Sequence, residues 1–411
     1  QIIESQDGDG AWVETIVATS LNVMALKKRG YSNDHKALAN AIRYLKKAAV
    51  FDGDKSVHIN WATGDMWDTA IHADILHFIN DTPAEKIISH VFPHMMMGFR
   101  DDGRWSFSIL GRITDNDSSS MTLATFAHLY PAMNTFQQSN AKTIIERVCT
   151  SLLVHQQHDG GWATFDERGI HRMGYKTPTP EKGAFFDFSS PDVTGRVIFG
   201  LLAACASGAL THSTIQKTSA AIKKAHAYFS IVQSKQGFAE GSYWSRWLLG
   251  PIAGTCFVAV ALRSSDVLPQ DPMLKRARAF VLRTQHANTG GWGETRQADC
   301  RAEDAGRGPS TPLQTALAIM TLVACSEDKD MMADEAIERG IRFLLQNQVD
   351  GHWEDKWPLG TILTGLDYFI TPENSEVAIL ASLTLYRRYK SAGPDAAISS
   401  WVKRHELVSS S

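Results

Sequence analysis

Apolar residues recur with a helical period over most of this chain. Runs such as MTLATFAHLY, GPIAGTCFVAVAL and LQTALAIMTLVAC have this pattern, and few stretches alternate between apolar and polar residues. A period near 3.6 residues is typical of helices, and a period of two is typical of strands. The pattern therefore predicts a protein built almost entirely from helices.

Two helix starts are well marked. Ser310 and Thr311 precede Pro312, and Thr371 precedes Pro372, each ahead of a long apolar run. A hydroxyl residue followed by proline is a preferred helix start, because the hydroxyl can accept a free backbone N–H and proline fits the first turn. We expect helices to begin at both prolines.

A short phrase containing glycine and tryptophan recurs between the apolar runs. Glycine permits a tight turn, tryptophan covers neighbouring helices, and glutamine can bond to free backbone groups at a helix end. We interpret the phrase as a structural clamp that is repeated around a ring of paired helices. This arrangement predicts that residues 1–411 form a single all-α domain with an α/α-barrel fold. The copies are QDGDGAW (6–12), FRDDGRW (99–105), QQHDGGW (156–162), QHANTGGW (285–292) and NQVDGHW (347–353), with QSKQGFA (233–239) as a sixth copy without its tryptophan.

Composition narrows the classes of function. The 411 residues carry 41 basic and 44 acidic side chains, a net charge of −3, so nothing in the charge indicates a nucleic-acid partner. The apolar runs are shorter than the roughly 18 residues of a membrane span, which leaves open a peripheral membrane contact. Five scattered cysteines indicate a reducing compartment, taken as the cytoplasm. Because Gln1 opens the chain without a signal-peptide pattern, we expect a processed or trimmed protein.

One polar stretch, RITDNDSSSM at 112–121, carries candidate chemistry. Asp115 and Asp117 stand two positions apart and are followed by three serines. From the residues alone, three interpretations stay open: a helix N-cap, a DxD motif that binds Mg²⁺, and a carboxylic acid that donates a proton.

Six sequence features resemble the squalene-hopene and oxidosqualene cyclase family, in the family's order. The repeated phrase resembles the QW motif, and DGRWSFSILGRITDNDSSSM resembles the segment that ends in D-x-D-D. The resemblance implies the catalytic β-domain barrel without the second α-barrel domain of the family's cyclases. The other matching segments are VHINWATGDMWDTA (57–70), HDGGWATFDERG (158–169), SSPDVTGRV (189–197) and GRGPSTPLQTALAIMTLV (306–323).

The resemblance also implies a role for the acidic stretch. Family members start a cationic cyclisation by protonating an alkene or epoxide, and their proton donor, the middle aspartate, falls on Asp117. Asp115 is then a neighbouring carboxylate that helps to keep Asp117 protonated, as an apolar pocket does. Ser118 stands where the family has its last aspartate, which changes the surroundings of the acid.

Two supporting residues follow from the same resemblance. Asp192 matches the aspartate of the family's D-V-T segment, and Arg196 stands where a histidine or arginine contacts the acid. Residues four apart share a helix face, so a simple salt bridge between these two is the alternative. An arginine beside Asp117 would stabilise its carboxylate and lower its pKa, which burial must then offset.

Five aromatic residues align with positions that line the family's cavity. Aromatic faces attract cations by about 0.5 to 2 kcal/mol each, although any one aromatic residue is more often part of a core. The segment that holds the last of the five departs from the family's terminal Gly-Phe-Pro pattern, which implies a changed substrate or termination step. The five are Trp67, Phe107, Phe165, Trp247 and Tyr368.

The resemblance implies a linear isoprenoid as substrate. Without a second barrel, a C15 or C20 prenyl diphosphate or a prenylated small molecule fits better than C30 squalene. A diphosphate would need Mg²⁺ or a cationic anchor, for which Arg112 and Arg246 are candidates. The sequence has no glycine-rich phosphate loop and no DDxxD run.

Two other functions stay open. A prenyltransferase with the same barrel would need a zinc set of Asp, Cys and His, whereas Asp299 and Cys300 are adjacent and no matching histidine is nearby. In a non-catalytic binding barrel, Ser118 would mark lost activity.

Overall fold

The computed structural model confirms that helices are the main secondary structure of the described chain. Two small antiparallel sheets pair Ala49–Asp52 with Ser56–Ile59 and Gln348–Val349 with His352–Trp353. No helix within the described residues is long and apolar enough to cross a membrane. The structure describes residues 3–4, 6, 8, 10, 16–47, 49–52, 56–59, 65–80, 82–109, 111, 113–165, 188–233, 239–298, 301–361 and 372–402.

Six helices form a closed inner ring. Each contacts the next one along the chain, and the last contacts the first, which confirms the predicted α/α-barrel. The inner helices are α3 (Asp65–Ile79), α5 (Asn116–Leu129), α7 (Pro191–Ala206), α9 (Gly250–Ser264), α11 (Pro312–Cys325) and α13 (Pro372–Val402, broken at Gly393). The outer helices are α4 (Ala84–Gly98), α6 (Thr135–Val154), α8 (His212–Gln233), α10 (Pro272–Arg283) and α12 (Met331–Gln346). Near the start of the chain, α1 (Ile16–Lys28) packs on α2 (Lys36–Lys47), and the short 3₁₀ helices are Tyr130–Ala132 and Ala302–Asp304.

The helix starts follow the sequence signals. Thr311 is the N-cap of α11, where its hydroxyl accepts the backbone N–H of Gln314 at 3.2 Å, and Pro312 occupies the first turn. The inner helix α13 begins at Pro372 as expected, and Thr371 lies outside the described residues.

The turn tryptophans fasten outer helices to the turns that follow them. In four copies of the phrase the indole N–H donates to a carbonyl in the last turn of the preceding outer helix, at 2.7 or 2.8 Å. Because all four rings are buried, each also adds a large apolar surface to the core. The pairs are Trp105 with Met95, Trp162 with Leu152, Trp292 with Val281, and Trp353 with Leu344.

The glutamine of the phrase bonds its own turn to the next outer helix. Gln156 Nε2 donates to the carbonyls of Gly160 and Ala221, both at 2.8 Å, and Gln285 makes the equivalent pair of bonds. Gly160 has a φ of 93°, and a Cβ there would lie 2.5 Å from the Lys224 carbonyl oxygen, so the position requires glycine. These contacts are the clamp that the sequence predicts.

The sixth copy ends later than predicted. Gln233 donates to the carbonyls of Gly241 and Met273 at 3.0 Å, as the other glutamines do in their turns. Tyr243 takes the place of the missing tryptophan: it is buried, and its backbone N–H donates to Thr255 Oγ1 at 3.0 Å. The end predicted at residue 239 was wrong because this turn is longer, and residues 234–238 lie outside the described chain.

Candidate active site

The acidic stretch begins α5 with a helix cap. Asp115 is the N-cap residue, and its Oδ1 accepts the backbone N–H of Ser118 at 2.6 Å. Both this N–H and the Ser118 hydroxyl lower the pKa of the Asp115 carboxyl. The N-cap interpretation is therefore confirmed for Asp115. Asp117 is the second residue of the helix and is not the cap.

Asp117 lies against an arginine of the next inner helix. Arg196 Nε is 2.5 Å from Asp117 Oδ1, and Arg196 Nη2 is 3.0 Å from Oδ2, so the guanidinium spans both carboxylate oxygens. The same Nη2 is 3.1 Å from Oδ2 of Asp192, one turn earlier in α7. The salt bridge within α7 and the contact with the acid are thus both present, and all three side chains are buried.

Two residues that the sequence analysis did not single out hold this cluster in place. Ser245 Oγ donates to Asp192 Oδ2 at 2.9 Å and accepts the backbone N–H of Leu248 at 3.1 Å. Phe257, in α9, packs under the guanidinium of Arg196, whose central carbon is 4.5 Å from the ring centroid. No motif identified either residue, because their partners in the cluster, Asp192 and Arg196, are more than fifty positions away in the sequence.

A third unforeseen residue, Asn116, ties the start of α5 to two turns of the barrel. Its Oδ1 accepts from Arg104 Nη1 at 3.1 Å, and its Nδ2 donates to the Ala163 carbonyl at 2.9 Å. Its backbone N–H donates to the Thr164 carbonyl at 2.7 Å. These bonds fix where Asp115 and Asp117 lie relative to the ring.

Burial dominates the electrostatics of the two acids. It raises the pKa of Asp117, Arg196 opposes the rise by its charge and hydrogen bonds, and the charge of Asp192 adds to it. The pKa of Asp115 is raised to about 7. Burial is the largest cause, and repulsion from the charge of Asp117 is the second. The charge of Asp117 thus contributes to the raised pKa of Asp115, and Arg196 contacts Asp117 and not Asp115.

Four of the five predicted cavity aromatics are described, and they form two half-buried pairs. The ring centroids of Trp67 and Phe107 are 6.5 Å apart, and those of Phe165 and Trp247 are 6.3 Å apart in an edge-to-face arrangement. Trp247 also donates its indole N–H to the hydroxyl of Thr164. The backbone carbonyl of Thr164 accepts the N–H of Asn116 at the start of α5. The second pair is therefore joined to the start of the helix that carries Asp117.

The predicted anchors and metal ligands are only partly described. The Arg246 guanidinium stacks over Trp247, 4.0 Å from its ring centroid. Tyr368, Arg112, Asp299 and Cys300 lie outside the described residues. Within the described part of the chain, no three His, Cys, Asp or Glu side chains form a group that could hold a metal ion.

The family of this chain follows from a sequence match over most of its length. Residues 101–388 match the model of the squalene-hopene cyclase C-terminal domain, which is more than half of the chain. The protein belongs to this family.

The chain covers only part of its curated relatives. It is 28% identical to the squalene-hopene cyclase of Zymomonas mobilis, over 95% of this chain and 59% of that protein. It is also 28% identical to enfumafungin synthase of Hormonema carpetanum, over 87% of this chain and 28% of that protein.

Solved structures share the fold at low sequence identity. A variant of the type II terpene cyclase MstE from Scytonema, in complex with its substrate geranylgeranyl dihydroxybenzoate, matches with a TM-score of 0.54 and 15% identity. The match covers 97% of this chain and 95% of the Scytonema protein. A D-mannose isomerase reaches the same TM-score at 12% identity, over 78% of this chain and 87% of that one, so these likenesses concern the fold alone.

Proposed function

We propose that this protein is a protonation-initiated terpene cyclase that closes rings in a linear isoprenoid, with Asp117 as the general acid. The observation that carries the proposal is the buried contact between Asp117 and Arg196 at the start of α5. An alkene is a very weak base, so it needs an acid that is protonated when the substrate is bound, which a raised pKa favours, and surroundings that stabilise the carboxylate left behind. Burial supplies the first, and Arg196 with the N-terminus of α5 supplies the second.

The proposed first step moves one proton. The Asp117 carboxyl gives its proton to a terminal alkene carbon, the π electrons form the new C–H bond, and a carbocation forms at the neighbouring carbon. Arg196 keeps Asp117 in place and stabilises its carboxylate while later double bonds attack the cation. Half-buried aromatic faces, those of Trp67, Phe107, Phe165 and Trp247, are proposed to stabilise the cations that follow.

The proposed substrate is a C15 or C20 prenyl diphosphate or a prenylated small molecule. The near-complete overlap with the Scytonema cyclase, whose substrate carries a geranylgeranyl group, supports this size. With a diphosphate, Mg²⁺ would accompany the substrate, and Arg246 beside Trp247 is one cationic anchor at hand.

The test is product analysis in D₂O by mass spectrometry. Wild type and Asp117→Asn are incubated with farnesyl diphosphate, geranylgeranyl diphosphate with Mg²⁺, and geranylgeranyl dihydroxybenzoate. We expect a cyclic product with one added deuterium from wild type and a rate loss of about 10²- to 10⁴-fold in the variant, the usual contribution of a general acid. Asp350→Asn, at an exposed turn, is the matched control and should keep full activity. A folded wild type that makes no cyclic product, or an active Asp117→Asn, would contradict the proposal.

A further inference from the structure

Three buried carboxyl groups lie at the candidate site, and two of them contact the guanidinium of Arg196. Asp115, Asp117 and Asp192 are 2%, 7% and 0% exposed, and Arg196 contacts the last two. Arg104, the other buried arginine nearby, bonds to Asp102 and Asn116, and its charge lowers the pKa of Asp115 less than burial and Asp117 raise it. Three ionised carboxylates would leave excess negative charge around Arg196 in a site that is buried away from bulk solvent, which favours a proton on one of them.

The hydrogen bonds distinguish which carboxyl that is. Both oxygens of Asp117 face N–H groups of Arg196, and a proton on either would displace one of these bonds. Asp192 Oδ2 receives Arg196 and Ser245, and its Oδ1 is buried without a hydrogen-bond partner among the described residues. Asp115 Oδ2 is likewise buried without such a partner, and Asp115 Oδ1 accepts the neutral backbone N–H of Ser118. Among the described contacts, Asp115 is therefore the carboxyl of the three that has no hydrogen bond with an arginine.

We propose that Asp115 and Asp117 share one proton and that, in the free protein, it rests on Asp115. Asp117 is then the carboxylate of the pair until a substrate binds, and Asp115 is the reservoir from which it is charged. In the transfer, the Asp115 O–H bond breaks and an O–H bond forms on Asp117, so the total charge of the pair is unchanged. The reservoir role rests on the proposed function, but the location of the proton does not.

The surroundings of Asp115 suit a neutral carboxyl. Burial and the Asp117 charge raise its pKa to about 7, so it is largely protonated below neutral pH. Serine at position 118, where the family has its last aspartate, places a neutral hydroxyl beside Asp115. Coupled acids of this kind titrate as a pair, with one proton held between them.

Infrared difference spectroscopy of the protein without substrate locates the proton directly. The C=O stretch of a protonated carboxyl is distinct from carboxylate bands, and we expect one that disappears as pH rises through about 7. Asp115→Asn should abolish this band and still cap α5, because asparagine is as good an N-cap as aspartate. Asp117→Asn should keep the band with a lower midpoint, since the neighbouring charge is gone. The control Asp355→Asn, at a buried aspartate of another turn, should leave the band unchanged.

Survival of the band in Asp115→Asn, or its loss in Asp117→Asn, overturns the proposal. Should Asp115→Asn fail to fold, Ser118→Ala tests the same idea: loss of the hydroxyl should raise the midpoint, and an unmoved midpoint overturns it. The D₂O assay separates the two proposals. A band on Asp115 with no cyclic product would reject the proposed function alone, and product formation with the band on Asp117 would reject the reservoir alone.

Discussion

At the residue scale, the hydroxyl of Ser245 is the least expected part of the acid cluster. It donates to Asp192, which in turn fixes the Nη2 group of Arg196 against Asp117. Removing it in Ser245→Ala should let Arg196 shift and should lower kcat about tenfold, the effect of one hydrogen bond of about 1.4 kcal/mol. KM should change little, because Ser245 is a positioning residue. Steady-state kinetics would measure kcat and KM, with the substrate that the D₂O product analysis identifies.

A second buried serine provides the control for this substitution. Among the described residues, Ser382 bonds only to the Ile379 carbonyl of its own helix, so Ser382→Ala should leave kcat unchanged. Equal losses in both variants would mean that Ser245 acts through general stability and has no specific effect on Arg196.

The residues around the acid differ in how far a sequence can predict them. The N-cap at Asp115 and the pair Asp192 and Arg196 follow from local spacing. The contact between Arg196 and Asp117 spans 79 positions, and only the family resemblance suggested it. Ser245 and Asn116 were missed, because a hydrogen bond to a residue far along the chain leaves no local pattern.

At the element scale, the turn tryptophans should contribute stability rather than activity. Trp162 is fully buried and its indole N–H bonds to Leu152 at 2.7 Å. Trp162→Ala should lower the free energy of unfolding by about 3 to 5 kcal/mol, the usual cost of removing a large buried ring. Trp162→Phe keeps most of the ring and loses the indole N–H donor. It should therefore lower the free energy of unfolding by clearly less than Trp162→Ala does. Urea denaturation monitored by circular dichroism measures both, and a loss below 1 kcal/mol in the alanine variant would count against the clamp.

Helices and clamps were predictable because their signals are local. A helix start such as Thr311 and Pro312 lies within four residues, and the phrase around Trp162 spans seven. The sixth copy was misjudged because its glycine and Tyr243 lie further from Gln233 than in the other copies. Turn length depends on how the flanking helices pack, which short spacing rules do not capture.

At the scale of the whole molecule, the barrel is closed by a seam between its first and last inner helices. Arg388 in α13 donates to the Phe78 carbonyl of α3 at 2.9 Å and lies over the Phe78 ring, 4.1 Å from its centroid. His128 in α5 pairs with Asp74 of α3 at 2.6 Å, and its other ring nitrogen is 3.2 Å from the Val402 carbonyl oxygen. Side chains from three helices thus join segments some 300 residues apart in the chain.

The His128 and Asp74 pair should therefore stabilise the closed ring as a whole. One ring nitrogen of His128 lies at the buried Asp74 carboxylate and the other at the Val402 carbonyl oxygen, so the imidazole links α3 to the end of α13. Asp74→Asn breaks this buried pair by removing one partner and should cost about 3 kcal/mol in the free energy of unfolding. Glu354→Gln, which removes an exposed ion pair with Lys356, is the control and should have no measurable effect. Urea denaturation measures the free energy of unfolding of both variants. If neither substitution changes it, the seam closes by apolar packing alone.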